Sequence, residues 1–328
     1  MAPHQTKTRA ALATLQWTLA AVAVIALVSC ASGDEETGKS TTKAPTTLDF
    51  DFEKPGPFGV GYRTWQIDYV PPASAASRTI AVHVWYPTEE TTGEHTKYLG
   101  TFPDKVSLVD AKPADPVAKA GYPVFLYSHG DRGFAGSSAF LMQYLAQHGW
   151  IAIAPDHTSN TLIDTKKPLP TGFYIQRATD MSAALDAVAN LAAPDPLAGR
   201  SRTDQVVMSG HSFGGYSCWS LSGATFDVEA ISKRCKSKPA GSKEACTDEE
   251  LAVFEKGLGD KRVVATIPLA TSIKRSWFGQ KGHESVNVPF LSLTGGNDKV
   301  GADKQFATCK GMDLTWVEFA GGCHQTFA

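Results

Sequence analysis

The most constraining feature of the sequence is a glycine-rich turn around a serine, GHSFGG at residues 210–215. The apolar run before it predicts a short buried strand over 205–209, and the residues after it predict a helix over 213–221. In the pattern Gly-x-Ser-x-Gly the serine occupies a tight, strained strand-to-helix turn that exposes its hydroxyl at the end of the strand. The positive end of the next helix dipole faces the same point and favours developing negative charge. Ser212 is therefore the candidate nucleophile.

Strand-like and helix-like segments alternate along most of the chain after residue 48. This alternation predicts right-handed crossovers, and hence an α/β fold with a mostly parallel central sheet and helices on both faces. Residues 48–328 are expected to form one catalytic domain, with a long loop over 87–121 and a charged, lid-like insertion at about 226–260. Strands are expected over 61–70, 78–86, 123–128, 150–154, 205–209, 262–269, 288–294 and 314–319, and helices over 135–149, 173–191, 213–221 and 304–308.

A serine nucleophile needs a histidine base, and that base needs a carboxylate to orient it. His283 and His324 are the histidines that follow Ser212 in the chain. His283 lies in a polar loop with no strand before it, whereas His324 follows a predicted strand and a Gly-Gly turn. Because strand ends meet at one edge of a parallel sheet, His324 is the favoured base.

The orienting acid is expected at the end of the preceding strand. Asp298 follows the glycine turn after the strand predicted over 288–294 and is the favoured candidate. Asp303 and Asp313 compete with it; Asp303 is better placed to begin a helix, and Asp313 to lie in a turn.

An ester or amide carbonyl under attack needs two N–H donors for its oxyanion. The backbone N–H of Phe213, directly after the nucleophile, is expected to be one of them. The other is assigned to the N–H of Asp131, in the glycine-containing loop SHGDRG at 128–133. The carboxylate of Asp131 must then point away from the site, and Arg132 can neutralise it.

The N-terminus predicts export. Residues 1–29 combine a basic start with a short apolar run and read as a signal peptide. The run ends in Leu27-Val28-Ser29-Cys30, which resembles the bacterial lipoprotein cleavage box, so Cys30 is expected to carry the lipid. Residues 30–47 are small and polar and predict a flexible tether to the cell envelope membrane. The alternatives are an uncleaved anchor, or a plain secretory signal that releases a soluble protein.

The remaining cysteines fit an oxidising compartment. Cys235 and Cys246 flank a Lys/Ser/Gly-rich stretch and are predicted to pair, and so are Cys309 and Cys323, which flank the last predicted strand. Cys218 lies in an apolar helical pattern and is predicted to be a buried thiol. No close C-x-x-C pair exists, so cysteine ligation of a metal is not expected.

Taken together, SHGDRG, GHSFGG, GGND and GGCHQTF resemble the α/β-hydrolase superfamily. Three further segments, GPFGVG at 56–61, VWYP at 84–87 and APDH at 154–157, resemble its platelet-activating factor acetylhydrolase-like and dienelactone hydrolase-like branch. The resemblance implies a serine hydrolase of short-chain or soluble carboxylic esters, without metal or other cofactor. Dienelactone hydrolases use a cysteine nucleophile, whereas this sequence has Ser212, so it departs from them at that position.

The partners implied are a small or lipid-like ester and, through Cys30, a membrane. The formal net charge of −2 gives no basic field for nucleic acid, and a monomer is expected. A lipase, polyesterase or peptidase on the same fold is the first alternative. A non-catalytic surface lipoprotein that only binds ligands is the second.

Overall fold

The computed structural model describes residues 51–328 and, as backbone, the segment Gln5–Ala10. Apart from that segment, the predicted signal peptide lies outside the described residues, as do Cys30 and the whole predicted tether. No helix within the described ranges is long and apolar enough to cross a bilayer.

The described residues form one open sheet of 11 strands. Its order is β1-β11-β10-β9-β8-β6-β7-β3-β2-β5-β4, with β3 antiparallel to β2 and β7 and β4 antiparallel to β5. From β7 through β6, β8, β9 and β10 to β11 every pairing is parallel. The strands are β1 Gln5–Ala10, β2 Gly59–Tyr69, β3 Arg78–Thr88, β4 His95–Tyr98, β5 Phe102–Val109, β6 Tyr122–Ser128, β7 Ile151–Pro155, β8 Ser201–His211, β9 Val263–Leu269, β10 Phe290–Gly295 and β11 Leu314–Phe319.

Helices cover both faces of this sheet, as predicted. Successive residues of β6 alternate between the two sides, so Leu126 packs towards α2 and α3 while Phe125 packs towards α1. Burial of both faces explains why the central strands are apolar throughout. The helices are α1 Ala139–Gln147, α2 Gly172–Ala189, α3 Gly214–Leu221, α4 Val228–Lys236, α5 Asp248–Lys256, α6 Arg275–Phe278 and α7 Ala302–Thr308.

The segment 87–121, expected to be a loop, contains β4 and β5 instead. β5 adds to β2 in parallel and β4 closes the edge of the sheet. Both strands were missed because they are short or charged and only half-buried, which is typical of edge strands. At the opposite edge β1 pairs with β11. β1 lies within the predicted signal peptide, so cleavage of residues 1–29 would leave β11 as the edge strand.

The insertion at 226–260 consists of α4 and α5, joined by the predicted disulfide Cys235–Cys246. α5 begins with a capping box in which Thr247 Oγ1 accepts from the N–H of Glu250 at 3.1 Å and the Glu250 carboxylate accepts from the N–H of Thr247 at 3.0 Å. Phe254 is buried in an aromatic cluster beside the sheet. The insertion is therefore anchored to the hydrophobic core through Phe254.

The predicted disulfide Cys309–Cys323 is wrong. Cys309, before β11, is buried at the end of α7 and contacts Arg275, whereas Cys323, beyond β11, is exposed. A six-residue strand spans about 20 Å, while a disulfide needs Cα atoms about 4.4–6.8 Å apart. Cysteines that flank a strand therefore stand at opposite ends of it. Cys218 is buried and not disulfide-bonded, as predicted.

Candidate active site

The turn after β8 has the strained geometry that its sequence predicts. Ser212 has a positive φ of 52°, a conformation rare for residues other than glycine. A Cβ at Gly210 would lie 2.6 Å from the carbonyl oxygen of Gly214, and a Cβ at Gly214 would overlap the carbonyl oxygen of Ser128. Glycine is needed at both positions because β6, β8 and the start of α3 meet there without space for a side chain.

The structure brings Ser212, His324 and Asp298 together at the carboxyl ends of β8, β11 and β10. Oγ of Ser212 lies 2.8 Å from Nε2 of His324, and Nδ1 of His324 lies 2.8 Å from Oδ2 of Asp298. The carboxylate can only accept, so Nδ1–H donates to it and leaves Nε2 free to accept the serine proton. The three residues thus have the connectivity of a nucleophile, a base and an orienting acid.

The competing candidates lie elsewhere. His283 is buried in a 3₁₀ turn, where its Nδ1 accepts from a guanidinium N–H of Arg275 at 3.2 Å. Asp303 lies in the first turn of α7. Asp313 directly precedes β11, at the amino end of that strand and therefore at the opposite edge of the sheet from His324.

His211, inside the GHSFGG turn, has a role that the sequence did not suggest. Its Nε2–H donates to the carbonyl oxygen of His324 at 2.8 Å. Burial lowers the pKa of His211 to about 4, so the ring is neutral at neutral pH and acts as a fixed donor. The turn that carries the candidate nucleophile thereby also holds the backbone of the candidate base.

The predicted oxyanion donors, the backbone N–H groups of Asp131 and Phe213, belong to residues that line one cavity with Ser212. Within the described part of the chain neither N–H donates a hydrogen bond. Both donors are therefore available to a ligand. Their role as oxyanion donors stays a prediction.

The Asp131 carboxylate is bound by other residues. Oδ1 accepts from Nδ2 of Asn160 at 2.6 Å and from Nζ of Lys167 at 2.8 Å, whereas Nε of the predicted partner Arg132 is 3.8 Å from Oδ2. Partial burial alone would raise the pKa of Asp131, but the hydrogen bonds from Asn160 and Lys167 outweigh it and lower the pKa. Lys167 lies far away in sequence, so no local pattern indicated it.

A buried polar network fixes the loop that carries Asp131. His129 Nδ1–H donates to the carbonyl oxygen of Gly130 at 2.7 Å, and its Nε2 accepts from the N–H of His157 at 3.0 Å. The guanidinium of Arg177 donates to the carbonyl oxygen of His129 and, at 2.7 Å, to Oδ1 of Asn160. His129 is therefore structural, and burial lowers its pKa well below the usual value.

The same network contains a second serine, histidine and aspartate. Oγ of Ser128 lies 2.8 Å from Nε2 of His157, whose Nδ1 lies 2.8 Å from Oδ2 of Asp180. All three side chains are fully buried. The guanidinium of Arg78 donates to both oxygens of Asp180 at 2.7 and 2.9 Å.

The cavity over Ser212 measures about 470 Å³. The rings of Tyr174, Phe213 and Tyr216 line one part of it, and residues 270–274, after β9, line another. No residue of the 226–260 insertion, all of which the structure describes, lines it. The lining residues are Asp131, Lys167, Leu169, Tyr174, Ser212, Phe213, Tyr216, Ala270, Thr271, Ser272, Ile273, Lys274, Val300 and His324.

The open sheet, the strained turn at Ser212 and the polar residues at the carboxyl ends of the strands together define the α/β-hydrolase fold. A chlorophyllase family model matches residues 96–232. Among solved structures, the ferulic acid esterase from Streptomyces cinnamoneus superposes with a TM-score of 0.50 at 19% identity, over 80% of this chain and 73% of that one. No match is found among curated proteins.

The described residues have the α/β-hydrolase fold, as the motifs predicted. The narrower branch inferred from 56–61, 84–87 and 154–157 stays a prediction.

Proposed function

We propose that the protein is a serine hydrolase that cleaves short-chain or soluble carboxylic esters with Ser212, His324 and Asp298. The observation that carries the proposal is the continuous hydrogen-bonded chain from Asp298 through His324 to Ser212, which ends in a cavity beside two unused N–H groups. Such a set converts a weak serine nucleophile into an effective one.

In the proposed reaction, Oγ of Ser212 attacks the ester carbonyl carbon while its proton passes to Nε2 of His324. The N–H groups of Phe213 and Asp131 hold the oxyanion of the tetrahedral intermediate. When that intermediate collapses, His324 gives its proton to the leaving alcohol and an acyl-serine remains. Water, deprotonated by His324, then attacks the acyl-serine and releases the acid. Asp298 keeps the imidazole in the required tautomer throughout.

The lining of the site favours small or soluble esters over the lipase alternative. The lipase reading depended on a lid formed by 226–260, but α4 and α5 pack against an aromatic cluster and do not line the cavity. The rings of Tyr174 and Phe213 provide a surface for an apolar acyl or alcohol group. The second alternative, a protein that only binds, gives no reason for the strained conformation of Ser212.

The test is hydrolysis of p-nitrophenyl butyrate by the purified protein and by Ser212→Ala. Loss of the nucleophile is expected to lower kcat/KM on the order of 10⁴- to 10⁶-fold, with an unchanged thermal melting curve. Ser220→Ala is the matched control, because this serine lies on α3 and its hydroxyl donates to the carbonyl oxygen of Tyr216 at 2.9 Å. Equal activity of Ser212→Ala and the unaltered protein would refute the proposal.

We further propose that the protein is an exported monomer, tethered to a bacterial envelope by a lipid on Cys30. Support comes from the signal-like residues 1–29 and from the disulfide Cys235–Cys246, which suits an oxidising compartment. Mass spectrometry of the mature protein should find Cys30 as a lipidated N-terminus, and native mass spectrometry should find one copy. An N-terminus before Cys30, or an unmodified Cys30, would rule out the lipid anchor.

A further inference from the structure

The lining of the cavity over Ser212 includes a lysine that the proposed reaction does not use. Lys274 follows β9 and lines the cavity with Ser212 and Phe213. Its Nζ lies 4.9 Å from the centre of the Phe213 ring and 5.2 Å from that of Tyr174. The same Nζ lies 3.4 Å from the Tyr174 hydroxyl.

The ammonium of Lys274 is half-buried, and in the described part of the chain no carboxylate forms an ion pair with it. The other lysine of the cavity differs, because Lys167 is paired with Asp131 at 2.8 Å. Burial, followed by repulsion from Arg234, lowers the pKa of Lys274. The Asp131 carboxylate partly offsets this lowering of the pKa, but it is paired with Lys167 and not with Lys274.

A second cation, the guanidinium of Arg177, contacts the same Phe213 ring. The guanidinium carbon of Arg177 lies 4.4 Å from the centre of the Phe213 ring, and within the described chain this fully buried side chain has no carboxylate in ion-pair contact. Arg177 donates inward, to His129 and Asn160. The ring of Phe213 thus contacts two cations, of which only Lys274 faces the cavity. The lining of the cavity that contains Ser212 thus has two lysines, Lys167 and Lys274, against the one carboxylate of Asp131.

An uncompensated, partly desolvated cation is costly unless a ligand supplies the opposite charge. We propose that Lys274 binds a carboxylate carried by the ester substrate, so that the protein prefers esters with a second, anionic group over neutral esters of the same size. Nζ, as a point charge with three donors, suits a carboxylate, and the Tyr174 hydroxyl lies close enough to contribute to the same contact. The apolar part of the substrate then lies against the rings of Phe213 and Tyr174.

This inference rests on the proposed ester hydrolysis, and it is tested with matched ester pairs. Monomethyl and dimethyl glutarate differ by a carboxylate on the acyl side. 4-Acetoxybenzoate and its methyl ester differ by a carboxylate on the alcohol side. The quantity compared is the ratio of kcat/KM for the anionic member to that for the neutral member, at constant ionic strength.

The unaltered protein should give a ratio of about ten or more in at least one pair, carried mainly by a lower KM for the anionic ester, since one charge-assisted contact of about 1.5–3 kcal/mol has this size. Lys274→Met should remove that preference, and Lys274→Arg should restore most of it. Lys261→Met is the control, because it removes the same charge from an exposed position before β9, at the amino edge of the sheet.

A ratio at or below one in both pairs would overturn the inference. So would an equal loss by Lys274→Met on both members of a pair, since that result would place Lys274 at the oxyanion common to all esters. If no ester is hydrolysed by the folded protein, the proposed function has failed instead. Calorimetric titration of glutarate and 4-hydroxybenzoate into Ser212→Ala and Ser212→Ala/Lys274→Met then decides on the carboxylate site: binding lost with the lysine supports it, and equal or absent binding rejects it.

Discussion

The molecule contains two serine–histidine–aspartate sets with the same geometry and opposite surroundings. In Ser212–His324–Asp298 and in Ser128–His157–Asp180 alike, serine Oγ lies 2.8 Å from Nε2 and Nδ1 lies 2.8 Å from the carboxylate. The first set opens on a cavity, with the His324 side chain 36% exposed, whereas both His157 and Asp180 are 0% exposed. Hydrogen-bond distances alone therefore do not identify a catalytic set; access for a substrate and free oxyanion donors do.

The buried set holds the loop that serves the exposed one. Ser128 is the last residue of β6, directly before the loop with Asp131. Asp180 accepts from Arg78 and, at 2.5 Å, from the Tyr69 hydroxyl as well as from His157. Its charge is thus neutralised by several donors, which suits a rigid support. We therefore propose that the exposed set carries out the chemistry and that the buried set positions the backbone donors.

Exchange of each aspartate for asparagine should separate these two roles most strongly. Asp298→Asn is expected to lower kcat about 10⁴-fold, because the amide no longer holds His324 in the required tautomer, with little change in stability. Asp180→Asn should instead lower the free energy of unfolding by about 3 to 5 kcal/mol, because it leaves Arg78 buried without its carboxylate. Ester kinetics and urea unfolding measure both. A severe loss of kcat in a well-folded Asp180→Asn would contradict the division of roles.

The buried histidine predicts a pH dependence of stability. Burial, and then repulsion from Arg177, lowers the pKa of His157 to about 4, whereas an unfolded histidine titrates near about 6.5. Between these two pH values the histidine binds a proton in the unfolded chain, whereas His157 in the native protein stays neutral. The free energy of unfolding therefore falls as pH falls. The full contribution, about 3 kcal/mol, is present above about pH 6.5 and is lost towards pH 4.

Urea unfolding from pH 7.5 to pH 4 measures this loss. His157→Gln should show a shallower decline over the same range, with a residual slope from His211, whose pKa is also about 4, and from His129, whose pKa burial lowers as well. An identical slope in the variant and the unaltered protein would mean that His157 is not a buried neutral ring. Ester hydrolysis is measured separately, since His324 is not part of this prediction.

Substitution of Asn160, which connects the two sets, should have the smallest effect on kcat. Asn160 accepts from Arg177 at 2.7 Å and donates to Asp131 at 2.6 Å. Asn160→Ala is expected to lower kcat about tenfold with little change in KM, less than the loss of a whole oxyanion donor, which costs about 10²–10³-fold. Asn287→Ala, at an exposed position, is the control. Unchanged kcat in Asn160→Ala would show that the network does not position the donors.

The exposed set could be found from the sequence because parallel strands bring their carboxyl ends to one edge. Glycine turns after three predicted strands were enough to choose Ser212, Asp298 and His324. The fold followed from the alternation of apolar strands with helices. In each case the signal lies within a few residues of the position it identifies.

The rest depended on contacts between distant segments. Arg78 on β3 and Asp180 on α2 are 102 residues apart in the sequence, and Lys274 becomes a cavity residue only when β9 is placed beside the serine turn. The pairing of Cys309 with Cys323 failed for the converse reason. The two cysteines are near in sequence, but the extended strand between them keeps them apart.

The central claim, that Ser212 and not Ser128 is the nucleophile, is tested most directly by labelling with a fluorophosphonate. This reagent forms a covalent bond with an activated serine, and the modified peptide is located by mass spectrometry. We expect a single adduct on Ser212 in the unaltered protein and in Ser128→Ala, and none in Ser212→Ala. Absence of label on the folded protein, or label that persists in Ser212→Ala, would contradict it.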